Sequence, residues 1–167
     1  MDKISNFTIY AYGAYRRLGI GALSETRDPD PRATLFDESK TLLNVEEWIL
    51  QADYAAEKSK DPKAKQRLAR IIDLLSRRKL LPDVDNIQIS AQGINTPIVE
   101  AHTSTGWIPL RALSSGYRAL IAWVVDLASR LFDRYPESAN PLAEPAVVII
   151  DQIHTHPTTR GHKLSSL

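Results

Sequence analysis

Three small residues, Ser114, Ser115 and Gly116, stand directly before a long run of residues with helical periodicity. Small residues at a helix start let backbone N–H groups approach an anion closely, and those free N–H groups and the positive end of the helix dipole bind phosphate. Serine is also a common N-cap, so Ser114 or Ser115 can accept a hydrogen bond from the first turn without any ligand. The segment therefore predicts either a phosphate-contacting helix start or a plain cap.

A single acidic residue, Asp151, ends the apolar run Val147–Ile150. A continuous apolar run is typical of a strand buried on both faces of a parallel sheet. Open α/β sheets bind ligands at the carboxyl ends of such strands, and an aspartate there can hold Mg²⁺, usually through water. The alternative is a hydrophobic strand that happens to end in a polar residue.

Three histidines near the end of the sequence, His154, His156 and His162, suggest a metal site. The H-x-H spacing puts two imidazoles on one face of a strand, but no fourth ligand is evident and Pro157 follows directly. A solvated tail is the favoured interpretation. The chain has no cysteine, which excludes disulfides and thiolate metal sites.

Two helices are predicted in the first half of the chain, upstream of these residues. Asn44 can cap the first, with a glutamate at the capping-box position, and this helix is expected to run to about Lys58. The second begins at Pro62, behind a capping acid, and has apolar residues at helical spacing until Pro82 stops it. We expect the pair to form a helical insertion over residues 40–82.

Extended patterns surround this pair. Residues 7–12 predict a strand, the polar stretch 24–34 predicts a loop, and three short runs within 86–110 predict a small antiparallel sheet. In the helix after Gly116, the apolar residues form one stripe. We expect three charged side chains to lie off this stripe: Asp126, Arg130 and Asp133.

The composition of the chain limits which binding partners we expect. The chain is 43% hydrophobic and 25% charged, as in ordinary globular domains. A net charge of +1 shows no basic excess of the kind that marks nucleic-acid-binding domains, so charge does not support DNA as a partner, although a local patch stays open. No run of 18 apolar residues and no secretory signal is found, so we expect no membrane contact and a cytoplasmic location.

The two candidate segments occur in a specific order, about 35 residues apart and with a proline-bearing linker between them. LSSGYRALIAWVVDLASRL resembles the signature motif and helix of SMC/RecF-like AAA (ABC-type) ATPases, and NPLAEPAVVIID resembles their approach to Walker B. Upstream, AYGAYRRLG, TLFDES, LLNVEEWIL and TSTGWIPLRALSSG resemble segments of one bacterial branch of these ATPases. The resemblance extends from about Tyr10 to Asp151.

This resemblance implies an α/β fold, namely a partial ABC-type P-loop NTPase core with an inserted helical subdomain and a small antiparallel sheet. ATP and Mg²⁺ are the implied cofactors, and a homodimer or a complete ATPase is the implied partner. Ser115 and Gly116, with Ser114 in the same motif, would contact the γ-phosphate of ATP bound to the opposite subunit. Asp151 would serve Mg²⁺ in its own subunit, and position 152 would be the acid that polarises the attacking water.

The sequence departs from this pattern after Asp151, where the stretch up to Pro157 is shorter and scrambled and the switch histidine strand is absent, at position 152 itself, and at the P-loop. Gln152 stands where the acid belongs, and a glutamine can hydrogen-bond water but cannot accept its proton. The P-loop motif G-x-x-x-x-G-K-[ST] occurs nowhere in the 167 residues, so most contacts with the β- and γ-phosphates are missing.

We therefore expect residues 1–167 to form one partial ATPase domain that is inactive alone, as a fragment, a split subunit or a degraded gene product. Residues 158–167 are expected to be a disordered or aberrant tail. The alternative is a non-catalytic interaction module that keeps the ATPase shape and pairs with a complete partner.

Overall fold

The computed structural model describes residues 8–13, 17–20, 28–59, 62–76, 80–91 and 97–151. Within these ranges the chain is mixed α/β, which confirms the predicted class. The helices are α1 (Ala33–Phe36), α2 (Val45–Ser59), α3 (Pro62–Leu75) and α4 (Ser115–Arg134). The strands are β1 (Ile9–Tyr12), β2 (Asn86–Ser90), β3 (Ile98–Thr103), β4 (Gly106–Pro109) and β5 (Val147–Ile150).

Strands β1 and β5 form a parallel pair that joins the two ends of the described chain. In the register of this pair, Tyr12 lies opposite Ile150, and the Asp151 N–H donates to the Tyr12 carbonyl oxygen at 2.9 Å. Because parallel strands end at the same edge of a sheet, Gly13 and Asp151 lie together at the carboxyl edge.

The segment that leads into α1 packs over β1. The Ala11 N–H donates to the Pro31 carbonyl oxygen at 3.0 Å, and a Cβ atom at Gly13 would overlap the Thr34 carbonyl oxygen. Glycine is therefore required at position 13 by the close approach of this segment. Helix α1 begins inside the stretch 24–34 that the sequence predicted as a loop, and that part of the prediction is wrong.

The helices α2 and α3 begin where their local signals predict. The Glu47 N–H donates to the Asn44 side-chain oxygen at 3.3 Å, and Pro62 is the first residue of α3. Proline suits this position because the first helical N–H groups have no intrahelical acceptor. None of the described helices has both the length and the hydropathy that a bilayer crossing requires.

Strands β2, β3 and β4 form the antiparallel sheet predicted within residues 86–110, with β3 in the centre. The two helices of the predicted insertion, this small sheet and α4 share one core. The largest fully buried side chains come from all of these parts: Ile49, Ile71, Leu75, Leu81, Val84, Val99, Ile121, Val125 and Ser129.

The burial predicted for β5 is wrong. Val148 is 38% exposed and Ile149 is 45% exposed, whereas a strand buried on both faces would hide both side chains. The reason is the extent of the sheet: within the described ranges β5 pairs with β1 and with no other strand. An apolar strand therefore stands at an open edge.

Candidate functional site

Ser114 is the N-cap of α4. Its side-chain oxygen accepts a hydrogen bond from the Tyr117 N–H at 3.4 Å, and its carbonyl oxygen accepts from the Arg118 N–H at 3.0 Å. These bonds leave the N–H groups of Ser115 and Gly116 in front of the first intrahelical bond, where no helix carbonyl can accept from them. The cap and a pair of outward N–H groups thus coexist at this helix start.

Gly116 has no contact that explains a glycine. It lies in the first turn of α4, it is exposed, and a Cβ atom at this position would meet nothing within 4 Å. Its φ is not in the left-handed region, which among the glycines of the described ranges is occupied by Gly106. Where the backbone conformation suits alanine, glycine costs about 0.4–1 kcal/mol relative to alanine, because the unfolded chain has more freedom to lose. The packing of the described chain therefore gives no reason to keep glycine here.

Neighbouring residues hold this exposed helix start on the core. Leu113 is buried just before the cap, and the Tyr117 hydroxyl donates to Asp83 Oδ2 at 3.1 Å. Burial, followed by the hydrogen bond to Asp83, raises the pKa of Tyr117, so the phenol stays protonated and keeps its donor. The backbone groups of Ser115 and Gly116 are therefore presented from a fixed position.

Asp151 lies at the carboxyl edge of the β1–β5 pair and is exposed. Gln152, the three histidines and the tail 158–167 lie outside the described residues. Among the residues that are described, no group of three or more histidine, aspartate or glutamate side chains is arranged to hold a metal ion.

The two halves of the candidate site are not directly bonded to each other within the described ranges. Within the described ranges, no hydrogen bond or ion pair joins residues 114–116 to Asp151. A cavity of about 230 Å³ adjoins the second turn of α4, beside Arg118 and Ile121. Ligand pockets for drug-sized molecules span about 300–1,000 Å³, so this cavity is too small for a whole nucleotide.

The prediction that Asp126 and Arg130 lie away from the buried face is wrong. Asp126 is 5% exposed, and its Oδ2 accepts from the Tyr12 hydroxyl at 2.9 Å and from Arg130 Nε at 2.8 Å. Arg130 Nη2 also donates to the Asp28 carbonyl oxygen at 2.7 Å. The partner strand lies 114 residues away in sequence, so no local pattern could reveal this buried network.

The buried network also determines the protonation state of Tyr12. Burial, and then the negative charge of Asp126, raises the pKa of Tyr12 far above its ordinary value. Tyr12 therefore remains a hydroxyl donor at every physiological pH. The third charged residue of α4, Asp133, is exposed as predicted and pairs with Arg67 at 2.8 Å.

The basic residues of α3 do not form a free positive surface. Each contacts an acidic side chain or a carbonyl oxygen, in the pairs Lys63–Glu137 (3.4 Å), Lys65–Glu57 (3.5 Å), Arg67–Asp133 (2.8 Å) and Arg70–Ala139 (2.8 Å). Nucleic-acid binding requires cations that can neutralise phosphates. Three of these four cations therefore lie beside a carboxylate, and Arg70 bonds a neutral carbonyl oxygen.

Comparison with protein-family models and comparison with curated proteins each gave no match to this chain.

Proposed function

We propose that this chain supplies the signature helix and the Walker B strand of an SMC/RecF-like, ABC-type ATPase. In this proposal the α/β fold is part of an ABC-type P-loop NTPase core, with ATP and Mg²⁺ as cofactors. Ser115 and Gly116, capped by Ser114, contact the γ-phosphate of ATP held by the opposite subunit. Asp151 serves Mg²⁺ in its own subunit, and the partner is a second copy or a complete ATPase.

The observation that carries the proposal is the environment of Gly116. A glycine that costs helix stability, is exposed and has open space around it is explained if another molecule approaches the backbone closely. A phosphate group fits this role, because the N–H groups of Ser115 and Gly116 face outward at the positive end of a 20-residue helix.

The separation of the two halves agrees with this assignment. The proposal gives residues 114–116 and Asp151 to two different ATP molecules, so no direct contact between them is needed. The exposure of both halves supports the same view, because each half must reach a ligand at the surface. The carboxyl edge of a parallel sheet is also the usual ligand position in open α/β folds.

Two features of the sequence bear on catalysis. The P-loop contacts must come from polypeptide other than these 167 residues, because the motif is not among them. Gln152 can orient the attacking water but cannot accept its proton, so hydrolysis should be slow even when a P-loop is supplied.

The test uses a P-loop partner, defined as an SMC/RecF-like chain that carries G-x-x-x-x-G-K-[ST]. Sedimentation with and without Mg-ATP measures pairing, and a melting curve measures folding. Ser115→Arg should block ATP-dependent pairing, because the bulky side chain fills the phosphate position. Ser115 is exposed at a helix end, so folding should stay nearly intact.

The control is Ala139→Arg, which adds the same side chain at an exposed position outside the candidate site. This variant should pair as the unmodified chain does. If the start of α4 binds no phosphate, Ser115→Arg should leave both pairing and stability nearly unchanged, because the capping side chain is that of Ser114. Normal ATP-dependent pairing by Ser115→Arg would therefore refute the signature assignment.

A second candidate function is a non-catalytic interaction module that pairs with a complete ATPase, and Gln152 favours it. The variant Gln152→Glu separates the two, because it restores only the missing proton acceptor. With the P-loop partner and Mg-ATP, turnover on the order of 1 per second would support a catalytic site. Pairing without any gain in turnover would support the module.

A further inference from the structure

Tyr12 is hydrogen-bonded both to helix α4, which carries the first half of the candidate site at its start, and to Asp151, the second half. Its hydroxyl donates to Asp126 of α4 at 2.9 Å, and its carbonyl oxygen accepts from the Asp151 N–H at 2.9 Å. Helix α4 carries Ser115 and Gly116 at its start. Tyr12 therefore connects the helix that bears one half to the backbone of the other half.

The hydrogen bond between the Tyr12 hydroxyl and the Asp126 carboxylate is strong. Tyr12 is 2% exposed and Asp126 is 5% exposed, so the bond between hydroxyl and carboxylate lies in the core. Hydrogen bonds to an ionised acceptor are about twice as strong as neutral ones, and burial shields them from competing water. Arg130 neutralises Asp126 through Nε at 2.8 Å and is itself held by the Asp28 carbonyl oxygen at 2.7 Å.

The hydrogen bond at Asp126 also affects the position of the exposed start of α4, because the two are parts of one helix. Eleven residues separate Ser115 from Asp126, which is about 16 Å along a helix at 1.5 Å per residue. The helix is fully bonded between them and packs through Ile121 and Val125, both with no exposed surface. A fixed Asp126 therefore fixes how far Ser115 and Gly116 project along the helix axis.

We propose that Tyr12 is the positioning residue of this site, setting Asp151 relative to the phosphate-facing start of α4. This inference rests on the proposed function, which assigns a phosphate to the start of α4 and Mg²⁺ to Asp151. Its structural content is that the Tyr12 hydroxyl, acting through Asp126, holds the carboxyl edge of the β1–β5 pair against α4.

The chain offers a matched pair of variants for the test. Tyr12→Phe removes the hydroxyl that donates to Asp126 and keeps the aromatic ring, whose centroid lies 5.9 Å from that of Trp123. Tyr10→Phe removes a hydroxyl from the same face of the same buried strand. The Tyr10 hydroxyl makes no hydrogen bond within the described residues, so it is the control.

Amide hydrogen exchange followed by NMR measures the local effect. In Tyr12→Phe the Asp151 amide should exchange about tenfold faster, the order of one hydrogen bond to a charged group. The Ile89 amide in the small sheet should keep its rate, and Tyr10→Phe should change neither. An unchanged Asp151 rate, or equal acceleration at Asp151 and Ile89, would overturn the positioning role.

The pairing experiment separates this inference from the proposed function. Blocked pairing in Ser115→Arg with an unchanged Asp151 rate in Tyr12→Phe would keep the proposed function and overturn the role of Tyr12. Normal pairing in Ser115→Arg would overturn the proposed function, and the positioning role with it.

Discussion

The carboxylate of Asp126 lies inside the core, where an ionised group is costly unless it is paired. Tyr12 and Arg130 both donate to its Oδ2, so the charge is compensated at short distances. The guanidinium of Arg130 depends on this pairing in turn, because its side chain is only 14% exposed. Removing either Asp126 or Arg130 would leave the other as a buried charge without its counter-charge.

This dependence predicts a large difference between two aspartates of the same helix. Asp126→Ala should cost about 3–5 kcal/mol of unfolding free energy, because it leaves Arg130 buried without a counter-charge. Asp133→Ala breaks an ion pair at a side chain that is 47% exposed and should cost at most about 1 kcal/mol. Urea denaturation of both variants checks this, and equal costs would contradict the buried network.

At the scale of elements, β5 has an apolar surface that the described chain leaves open. Val148 and Ile149 are both more than a third exposed, and the strand has a free edge within the described ranges. Exposed β-branched edges are templates for pairing with another chain. We therefore expect the isolated chain to self-associate as its concentration rises.

The variant Ile149→Lys tests the role of this strand. A lysine on an open edge discourages pairing between chains, and this exposed side chain can be replaced without opening a cavity in the core. Sedimentation velocity over a concentration series should show less association in Ile149→Lys than in the unmodified chain. Ile20→Lys, at a side chain that is 94% exposed, is the control and should leave association unchanged. Equal reduction by both variants would contradict a specific role for β5.

The elements that the sequence predicts well are those with local signals. Asn44, Pro62 and Ser114 mark three helix starts, because caps and first-turn prolines act on adjacent backbone. Helix α1 was missed because it has four residues and no side-chain cap bond. Its position depends on contact with β1, as at Gly13. The burial of Asp126 and the exposure of β5 were also missed, because both depend on distant or absent neighbours.

The positions of the candidate site residues in the fold could be predicted from the sequence, but the packing around them could not. The cap at Ser114 and the strand end at Asp151 follow from local patterns. The open space around Gly116 and the two bonds of Tyr12 come from packing, which a single sequence does not contain.

For the molecule as a whole, we expect no meaningful ATPase activity from these 167 residues alone. The P-loop motif is not among them, and Gln152 stands where a proton acceptor is needed. Steady-state phosphate release at saturating Mg-ATP measures this directly. Turnover on the order of 1 per second, an ordinary enzyme rate, would contradict it.

The variant Gly116→Ala tests whether a phosphate held by another subunit approaches the start of α4. Stability by urea denaturation and ATP-dependent pairing with the P-loop partner are measured on the same preparation. We expect opposite signs: stability rises by about 0.5–1 kcal/mol, because the new methyl group meets nothing within 4 Å, while pairing weakens. A misfolded variant cannot give this combination. A more stable Gly116→Ala chain that pairs as well as the unmodified one would contradict a phosphate contact at this helix start.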